Sequence, residues 1–316
     1  MNIIKNTFIS FAVFMAISPD IKIFGEPVPS PGTFGYVLQA DSLAKDKTGA
    51  VQKLATSKRD WIVLDANFTT GIPWKREDID TIRRGQPGRK VIAYISIGEA
   101  ESYRPYWHKD WISKGQLTAS APSWLLPENP DWPGNYRVKY WDPDWQKIML
   151  AAVDAVIADG FDGVYLDIVD GFEYFEKEGN DFIDDRPNSE TGNTYRQDMT
   201  AWVKKIATKA RIKNPATLVI PQNGAQLLAQ PDYLGVIDAI GVEDLFTDGN
   251  QVQPKSDVSY HLGFLKNMTN KKKPVLLIEY PTRNDRKALV KKAAPQQGFV
   301  WLITDRQLKT LGVSGK

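Results

Sequence analysis

The chain has 316 residues, of which 42% are apolar and 25% are charged, and its 40 Lys and Arg against 38 Asp and Glu leave a formal net charge of +2. This charge balance lacks the basic excess of nucleic-acid-binding proteins, so no nucleic-acid partner is expected. The absence of cysteine excludes disulfides, thiol catalysis and thiolate metal sites, and two histidines, His108 and His261, are too few for a histidine-rich metal centre. Any chemistry must therefore use carboxylates, hydroxyls, amides, lysine or arginine.

Residues 1–25 have the pattern of a secretory signal peptide. Lys5 precedes an apolar run from Phe8 to Ile17, which is too short to cross a membrane. Candidate cleavage sites follow Ser18 and Gly25, and a buried N-terminal helix is the alternative interpretation. We expect a secreted or periplasmic protein without stable membrane insertion, whose oligomeric state the sequence leaves open.

Eight short apolar runs alternate with amphipathic segments and predict strands at 34–39, 60–65, 90–97, 161–167, 216–223, 235–243, 273–279 and 298–304. Strands that alternate with helices pair in parallel, and near-continuous apolar strands are covered on both faces. One helix is predicted between a capping Asp142 and a terminating Gly160, with Pro143 in its first turn. The eight units predict a closed (β/α)8 TIM-like barrel over residues 34–312. An open dinucleotide-binding sheet is the alternative, but no Gly-rich phosphate turn follows the first strand.

A long insertion follows the third predicted strand, from Gly98 to Tyr140. It is rich in tryptophan and tyrosine, with Trp107, Trp111, Trp124 and Trp132 among its residues. Long loops in compact domains are often functional. The insertion is interpreted either as a small aromatic core packed over the barrel or as a wall on which a ligand stacks.

Acidic and polar side chains stand where the predicted strands end, which is the working face of a (β/α)8 barrel. Those on the first three strands or after them are Tyr36 and Gln39 of strand one, Asp65 after strand two, Tyr94 of strand three, and Glu99 and Glu101 after strand three. The later strands contribute Asp167 and Asp170 after strand four, Gln222 and Asn223 on strand five, Glu243 and Asp244 after strand six, and Glu279 after strand seven. The alternative is that each acid caps the following helix, which holds equally well for Asp65 and Asp244. Capping is a weaker explanation for Asp167, because the next eight residues do not resemble a helix start, and for Glu243 and Glu279, because Glu is a poor N-cap.

Several carboxylates at one rim allow two kinds of chemistry. A hard cation is one, but no acidic loop shows a regular calcium-binding spacing, so no metal and no cofactor are predicted. The other is a carboxylate pair that acts on a glycosidic bond, with a separation of about 5 to 5.5 Å in retaining enzymes and about 6.5 to 9.5 Å in inverting ones. The sequence does not choose between the two outcomes.

Four motifs, "GFDGVYLDIVDGFE", "PQNGAQLL", "GVEDLF" and "IEYPTR", together resemble glycoside hydrolase family 114, the endo-α-1,4-polygalactosaminidase family. The chain is most similar to the prokaryotic branch once labelled cysteinyl-tRNA synthetase related, although no synthetase nucleotide signature or zinc-binding cysteine is present. The resemblance implies a TIM-like barrel that acts on α-linked galactosamine polymers. By analogy with α-retaining barrels, it implies Asp167 as nucleophile and Glu243 as acid/base. The chain departs from the family pattern at Ile168, where Asn is usual, and at Gln222 and Asn223, where a Lys-Asn pair is usual.

The remaining polar residues of the rim are predicted to bind the polysaccharide substrate, and they are Tyr36, Asp65, Tyr94, Glu99, Asp170, Asn223 and Glu279. Crowded carboxylates would focus negative potential, favour a deacetylated amino sugar, and raise the pKa of one carboxyl. Arg104 or Arg283 could instead neutralise the rim. Two other functions stay open: a non-catalytic polysaccharide-binding barrel, and an esterase or deacetylase, for which no nucleophile elbow exists.

Overall fold

The computed structural model describes residues 28–179 and 181–316, so the predicted signal peptide, residues 1–25, lies outside the described residues. The eight predicted strands are present within this part of the chain. They are β1 (Phe34–Val37), β2 (Trp61–Asp65), β3 (Lys90–Ser96), β4 (Gly163–Asp167), β5 (Leu218–Pro221), β6 (Ile240–Glu243), β7 (Val275–Glu279) and β8 (Val300–Ile303). A ninth strand, β9 (Val313–Gly315), follows beyond the predicted domain boundary at residue 312.

The eight strands pair in parallel in sequence order. One sheet runs β1-β2-β3-β4-β5 and a second runs β6-β7-β8-β9, with β9 antiparallel at its edge. A parallel bridge between Gln222 and Gly241 connects β5 to β6. On the other side, the Phe34 amide donates to the Ser314 hydroxyl of β9 at 2.9 Å, so β9 joins β8 to β1. The sheet therefore closes on itself, as the barrel prediction requires.

Helices separate the strands: α1 (Lys47–Thr56), α2 (Arg76–Arg84), α3 (Pro143–Ala158), α4 (Phe172–Glu176), α5 (Tyr195–Lys213), α6 (Pro231–Val236), α7 (Lys255–Asn270) and α8 (Asn284–Gln296). Helix α3 begins as predicted, because the Asp142 side chain accepts from the Asp144 amide. The predicted strand 235–243 is shorter than expected, because α6 occupies its first residues. A short helix, α4, does follow β4, but its N-cap is Gly171, so Asp167 does not cap it.

Buried side chains form two layers, as alternation along a covered strand requires. The barrel interior holds Phe34, Tyr36, Trp61, Val63, Ile92, Tyr94, Tyr165, Ile220, Ile278 and Leu302. Intervening strand residues such as Ile62, Leu64, Val91 and Leu166 pack outward against the helices. Tyr36, Tyr94 and Tyr165 lie near the carboxyl ends of their strands, so the interior ends in tyrosine rings directly below the acids.

The insertion forms a small antiparallel sheet from Glu99–Glu101, Asn135–Val138 and Leu125–Glu128. Trp111 packs edge-on against Trp124 at 5.4 Å between ring centroids, and Trp124 contacts Trp145 of α3 at 5.0 Å. These rings are buried, whereas Trp132 is 54% exposed. The insertion thus contains an aromatic core and also presents one tryptophan to solvent.

Candidate active site

A cleft of about 1350 Å³ opens at the carboxyl ends of the strands. We call it the main cleft; its walls come from residues at or just after the carboxyl ends of β1 to β7, from the insertion, from the segment after β4, and from residues 306–309. All but one of the predicted site residues line it: Tyr36, Asp65, Tyr94, Glu99, Asp167, Asp170, Asn223 and Glu243. The exception is Glu279.

Asp167 ends β4 with both carboxylate oxygens engaged. The Tyr94 hydroxyl donates to Oδ2 at 2.7 Å, and the Ile168 amide donates to Oδ1 at 2.8 Å. Burial raises the pKa of Asp167, while these two hydrogen bonds favour the ionised form and oppose that rise. Ile168 has φ of 57°, an uncommon conformation for a β-branched residue, so the backbone is strained where the carboxylate is presented.

Glu243 ends β6 and faces the same cleft. Burial, followed by the neighbouring Asp167 carboxylate, raises the pKa of Glu243 to about 7. The Tyr280 hydroxyl donates to Oε1 and favours the ionised form. Glu243 therefore keeps its proton to a higher pH than an ordinary glutamate does.

Asn223 connects two of the acidic residues. Its Oδ1 accepts from the Glu243 backbone amide at 3.1 Å, and its side chain also hydrogen-bonds Asp170. Burial, and then the carboxylates of Glu173, Asp167 and Glu243, raise the pKa of Asp170 well above its ordinary value. Asn223 thus links Asp170 to the end of β6, where Glu243 lies.

Tyrosine rings form the floor of the main cleft. Tyr36 is buried, and its ring centroid lies 5.1 Å from that of Tyr165 and 6.4 Å from that of Tyr94. Burial raises the pKa of these hydroxyls well above the ordinary value, with nearby carboxylates adding to the effect. The phenols therefore stay neutral; the Tyr94 hydroxyl donates to Asp167, and the Tyr165 hydroxyl donates to the side-chain oxygen of Gln222.

Arg104 neutralises part of the rim, as the alternative interpretation anticipated. It donates to both oxygens of Asp65, at 2.8 and 2.6 Å, and to Glu101 at 2.6 Å. Arg283, the other cation considered, pairs with Asp285 on the surface and does not line the main cleft. Asp65 is thus held in an ion pair at the cleft wall.

Glu99 is buried in the wall of the main cleft. The Asn129 side-chain amide of the insertion donates to its Oε1 at 2.8 Å. Burial raises the pKa of Glu99, and the Asp167 carboxylate adds to the rise. The insertion thereby contributes directly to the positioning of an acid in the main cleft.

Glu279 does not lie in the main cleft, so the structure does not support its predicted role in substrate binding. Its carboxylate is fully buried and accepts from the backbone amides of Phe246 and Thr247 at 2.7 and 3.0 Å, and from the Thr247 hydroxyl. These bonds anchor the segment that follows Glu243. The loop that contains Phe246 and Thr247 folds back over the end of β7. Its contact with the Glu279 carboxylate keeps Glu279 out of the main cleft.

Several cleft residues were not predicted from the sequence. Tyr280 contacts Glu243, and its place directly after β7 is a signal that the strand-end argument could have used. Exposed aromatic rings from loops also line the cleft: Tyr103 and Trp132 belong to the insertion that was interpreted as a possible ligand-stacking wall, whereas Tyr174 and Phe182 were not singled out. Their positions depend on how the long loops fold, which periodicity does not reveal.

Charge in the main cleft is predominantly negative. Nine carboxylate residues line it against five lysines and arginines. Among residues 28–179 and 181–316, no group of three or more His, Cys, Asp or Glu is arranged to hold a metal ion. No helix in the same ranges is long and apolar enough to span a membrane.

Comparison with known proteins identifies the family of the chain. The model of glycoside hydrolase family GH114 matches residues 27–315. An uncharacterized protein of Deinococcus radiodurans is 39% identical over 260 residues, which is 81% of this chain and 76% of that protein. An uncharacterized protein of Methanocaldococcus jannaschii is 35% identical over 236 residues, 73% of this chain and 63% of that protein.

Two solved glycoside hydrolase structures have the same fold. The glycoside hydrolase domain of PelA from Pseudomonas aeruginosa has a TM-score of 0.64 and 19% identity, with 90% of this chain and 98% of that one covered. Aspergillus fumigatus Ega3, in a complex with galactosamine, has a TM-score of 0.64 and 20% identity, with 92% and 98% covered. The prediction of a TIM-like (β/α)8 barrel is confirmed. The chain belongs to glycoside hydrolase family GH114 and is an O-glycosyl hydrolase.

Proposed function

We propose that the protein cleaves α-linked galactosamine-rich polysaccharide with Asp167 as nucleophile and Glu243 as acid/base. One observation carries the proposal: two carboxylates from β4 and β6 line the same cleft with different hydrogen-bonding environments. Burial raises the pKa of both carboxyls; two hydrogen bonds oppose the rise at Asp167, whereas the Asp167 carboxylate adds to the rise at Glu243, whose pKa reaches about 7. A pair of carboxyls with separated protonation preferences is the arrangement that glycoside hydrolysis requires.

In the first step, an oxygen of Asp167 attacks the anomeric carbon of the sugar. The bond to the glycosidic oxygen breaks, and protonated Glu243 transfers its proton to that oxygen, so the leaving sugar departs as a neutral alcohol. Tyr280 donates to Oε1 of Glu243, which leaves Oε2 to carry the proton.

In the second step, ionised Glu243 takes a proton from water. The resulting hydroxide oxygen attacks the anomeric carbon and displaces Asp167, which regains its charge. Tyr94 and the Ile168 amide stabilise the returning carboxylate. The two steps together replace one glycosidic bond by a hydroxyl on each product and return both carboxyls to their starting states.

The proposed substrate rests on charge and on likeness. Nine carboxylates against five cations in the main cleft favour a polymer that bears ammonium groups, as deacetylated galactosamine does. The structure of Ega3 with galactosamine supports the same sugar. A cleft of about 1350 Å³ is larger than a pocket for one small ligand, which supports binding of several linked sugars and endo cleavage.

The proposal includes export. The pattern of residues 1–25 supports a cleaved signal peptide, and the hydrolase domain then comprises residues 34–312 together with β9. Such a protein would meet extracellular or periplasmic polysaccharide. N-terminal sequencing of protein recovered from culture supernatant or periplasm tests this, with a new N-terminus after Ser18 or Gly25 expected.

The test of activity is mass spectrometry of products from purified, partially acetylated galactosaminan. Wild-type protein should release oligosaccharides, and Asp167→Asn and Glu243→Gln should each lower the rate by at least about 10³-fold. Both substitutions are isosteric, so circular dichroism and the melting temperature should show a folded protein. Glu178→Gln is the matched control: it removes one exposed charge away from Asp167 and Glu243, and it should keep the wild-type rate.

Two outcomes would contradict the proposal. Polymer binding without release of new reducing ends would favour the non-catalytic polysaccharide-binding barrel. Retention of most of the turnover by either active-site variant would show that the roles assigned to Asp167 and Glu243 are wrong.

A further inference from the structure

A second cavity, of about 360 Å³, adjoins the main cleft. Asp170, Glu173, Asn223 and Glu243 line both spaces. The rest of the second cavity comes from the segments after β5 and β6 and from the first turns of α7, including Gln226, Asp244, Asp257 and Tyr260. Asp167 lines the main cleft and is absent from the wall of the second cavity.

The wall of the second cavity is acidic. Five of its residues are carboxylates, and no lysine or arginine is among the described residues that line it. Asp244 is paired with Arg306 at 2.6 Å. Glu173 and Asp257 form no ion pair with any residue of the described ranges, and Arg196 nearby is already paired with Glu176 and Asp184. Two carboxylates are therefore available to a positively charged ligand.

Gln226 gives an independent indication of a ligand. Its side chain is 9% exposed and lines the second cavity, and its Nε2 donates to Glu173 at 2.8 Å. Its Oε1 has no hydrogen-bond partner within the described part of the chain. Buried polar atoms normally have partners, so this oxygen lacks a donor that a hydroxyl or ammonium group would supply.

Because Glu243 lines both the main cleft and the second cavity, its position indicates which sugar of the substrate occupies each space. The group that protonates a glycosidic oxygen stands between the sugar under attack and the sugar that leaves. Since Asp167 faces only the main cleft, the sugar under attack lies there, and the leaving sugar lies on the other side of Glu243.

We propose that the second cavity is the leaving-group subsite and that it selects an amino sugar with a free ammonium group. Glu173 and Asp257 pair with the ammonium, and Gln226 Oε1 accepts from it or from a neighbouring hydroxyl. An N-acetylated sugar is disfavoured there, because a neutral amide forms no ion pair and adds bulk. This inference rests on the proposed hydrolysis of galactosamine polymer.

The test compares two substrates, α-1,4-linked galactosamine tetramer and 4-nitrophenyl α-galactosaminide, whose leaving group carries no ammonium group. In the Glu173→Gln/Asp257→Asn double variant, kcat/KM for the tetramer should fall about tenfold more than kcat/KM for the aryl substrate. Glu178→Gln removes an exposed charge outside both spaces and should leave the ratio of the two values unchanged. A ratio in the double variant within twofold of wild type would overturn the inference.

A second measurement uses wild-type protein alone. With the aryl substrate as donor, galactosamine added as acceptor should yield several times more disaccharide than N-acetylgalactosamine at the same concentration. Equal yields, or preference for the acetylated sugar, would contradict the assigned subsite. If wild-type protein cleaves neither the tetramer nor the aryl substrate, the proposed function fails, and that result is distinct from a failure of the subsite.

Discussion

Each of the two carboxyls proposed to react accepts a hydrogen bond from a tyrosine: Asp167 from Tyr94 on β3, and Glu243 from Tyr280 directly after β7. Both phenols are buried, and their pKa values are raised well above the ordinary value, chiefly by burial, so they act as donors and not as anions. A donated hydrogen bond stabilises the ionised carboxylate. The protonation state of the site therefore depends on burial working against these hydrogen bonds.

Tyr280→Phe should change the pH dependence of hydrolysis. The Tyr280 hydroxyl lowers the pKa of Glu243, so its removal raises that pKa above the present value of about 7. The acid form then persists to higher pH, and the alkaline limb of kcat/KM should move upward, with a loss of about 10- to 100-fold at the optimum because the carboxyl is less well oriented. The pH profile of wild type and variant on an aryl galactosaminide measures this.

Tyr195→Phe is the matched control, because it removes a partly exposed phenol at the start of α5 that lines neither cavity. It should not move the alkaline limb. A limb in Tyr280→Phe at or below the wild-type position would contradict the assignment of Glu243 as the group that titrates there.

At the level of elements, the junction of β5 with β6 positions Glu243. A single bridge between Gln222 and Gly241 connects the two sheets there. Tyr165 donates to Gln222 across this junction, and a Cβ on Gly241 would lie 1.7 Å from the Tyr165 hydroxyl and 2.2 Å from Gln222 Oε1. Glycine is required at position 241 because these side-chain atoms approach its Cα closely; its backbone conformation is one that other residues also adopt.

Gly241→Ala should destabilise the protein by about 3 kcal/mol, because a buried side-chain network must move to admit the methyl group. Denaturant unfolding measures the loss. Gly263→Ala is the matched control: its added Cβ meets no atom within 4 Å, and it lies within α7, where alanine should stabilise the helix by about 1 kcal/mol. Equal effects of the two substitutions would contradict the close packing described at the junction.

Across the whole molecule, several carboxyls have raised pKa values, and burial is the largest cause. Glu243 and Glu279 both reach about 7. An acid whose pKa is higher in the folded than in the unfolded state binds its proton more tightly when folded. The free energy of unfolding therefore falls as pH rises from about 4.5, the ordinary value for Glu, to about 7.

The melting temperature should accordingly be higher at pH 5 than at pH 7.5. Acids with lowered pKa values, such as Asp305 and Asp232, lose their contribution only below the ordinary Asp value and do not reverse this trend. In Glu243→Gln the difference between the two pH values should shrink, because one of the titrating groups is gone. A melting temperature that rises from pH 5 to pH 7.5 would show that the raised pKa values do not dominate.

Much of the architecture could be predicted from the sequence, because covered parallel strands are near-continuous apolar runs and the acids follow them directly. The places where prediction failed depend on non-local contacts. Glu279 occupies a strand end like Asp167, yet the loop at Phe246 and Thr247 folds back onto it. The start of β6 was misplaced because Val236, though apolar, ends the short helix α6.

The central proposal divides the chemistry between Asp167 and Glu243, and azide rescue tests it most directly. On an activated aryl α-galactosaminide, Asp167→Gly with azide should give the β-glycosyl azide, because azide replaces the missing nucleophile. Glu243→Ala with azide should give the α-glycosyl azide, because azide then attacks the glycosyl-enzyme formed by Asp167. Failure of azide to restore turnover in both variants, or the opposite anomers, would contradict the assigned roles.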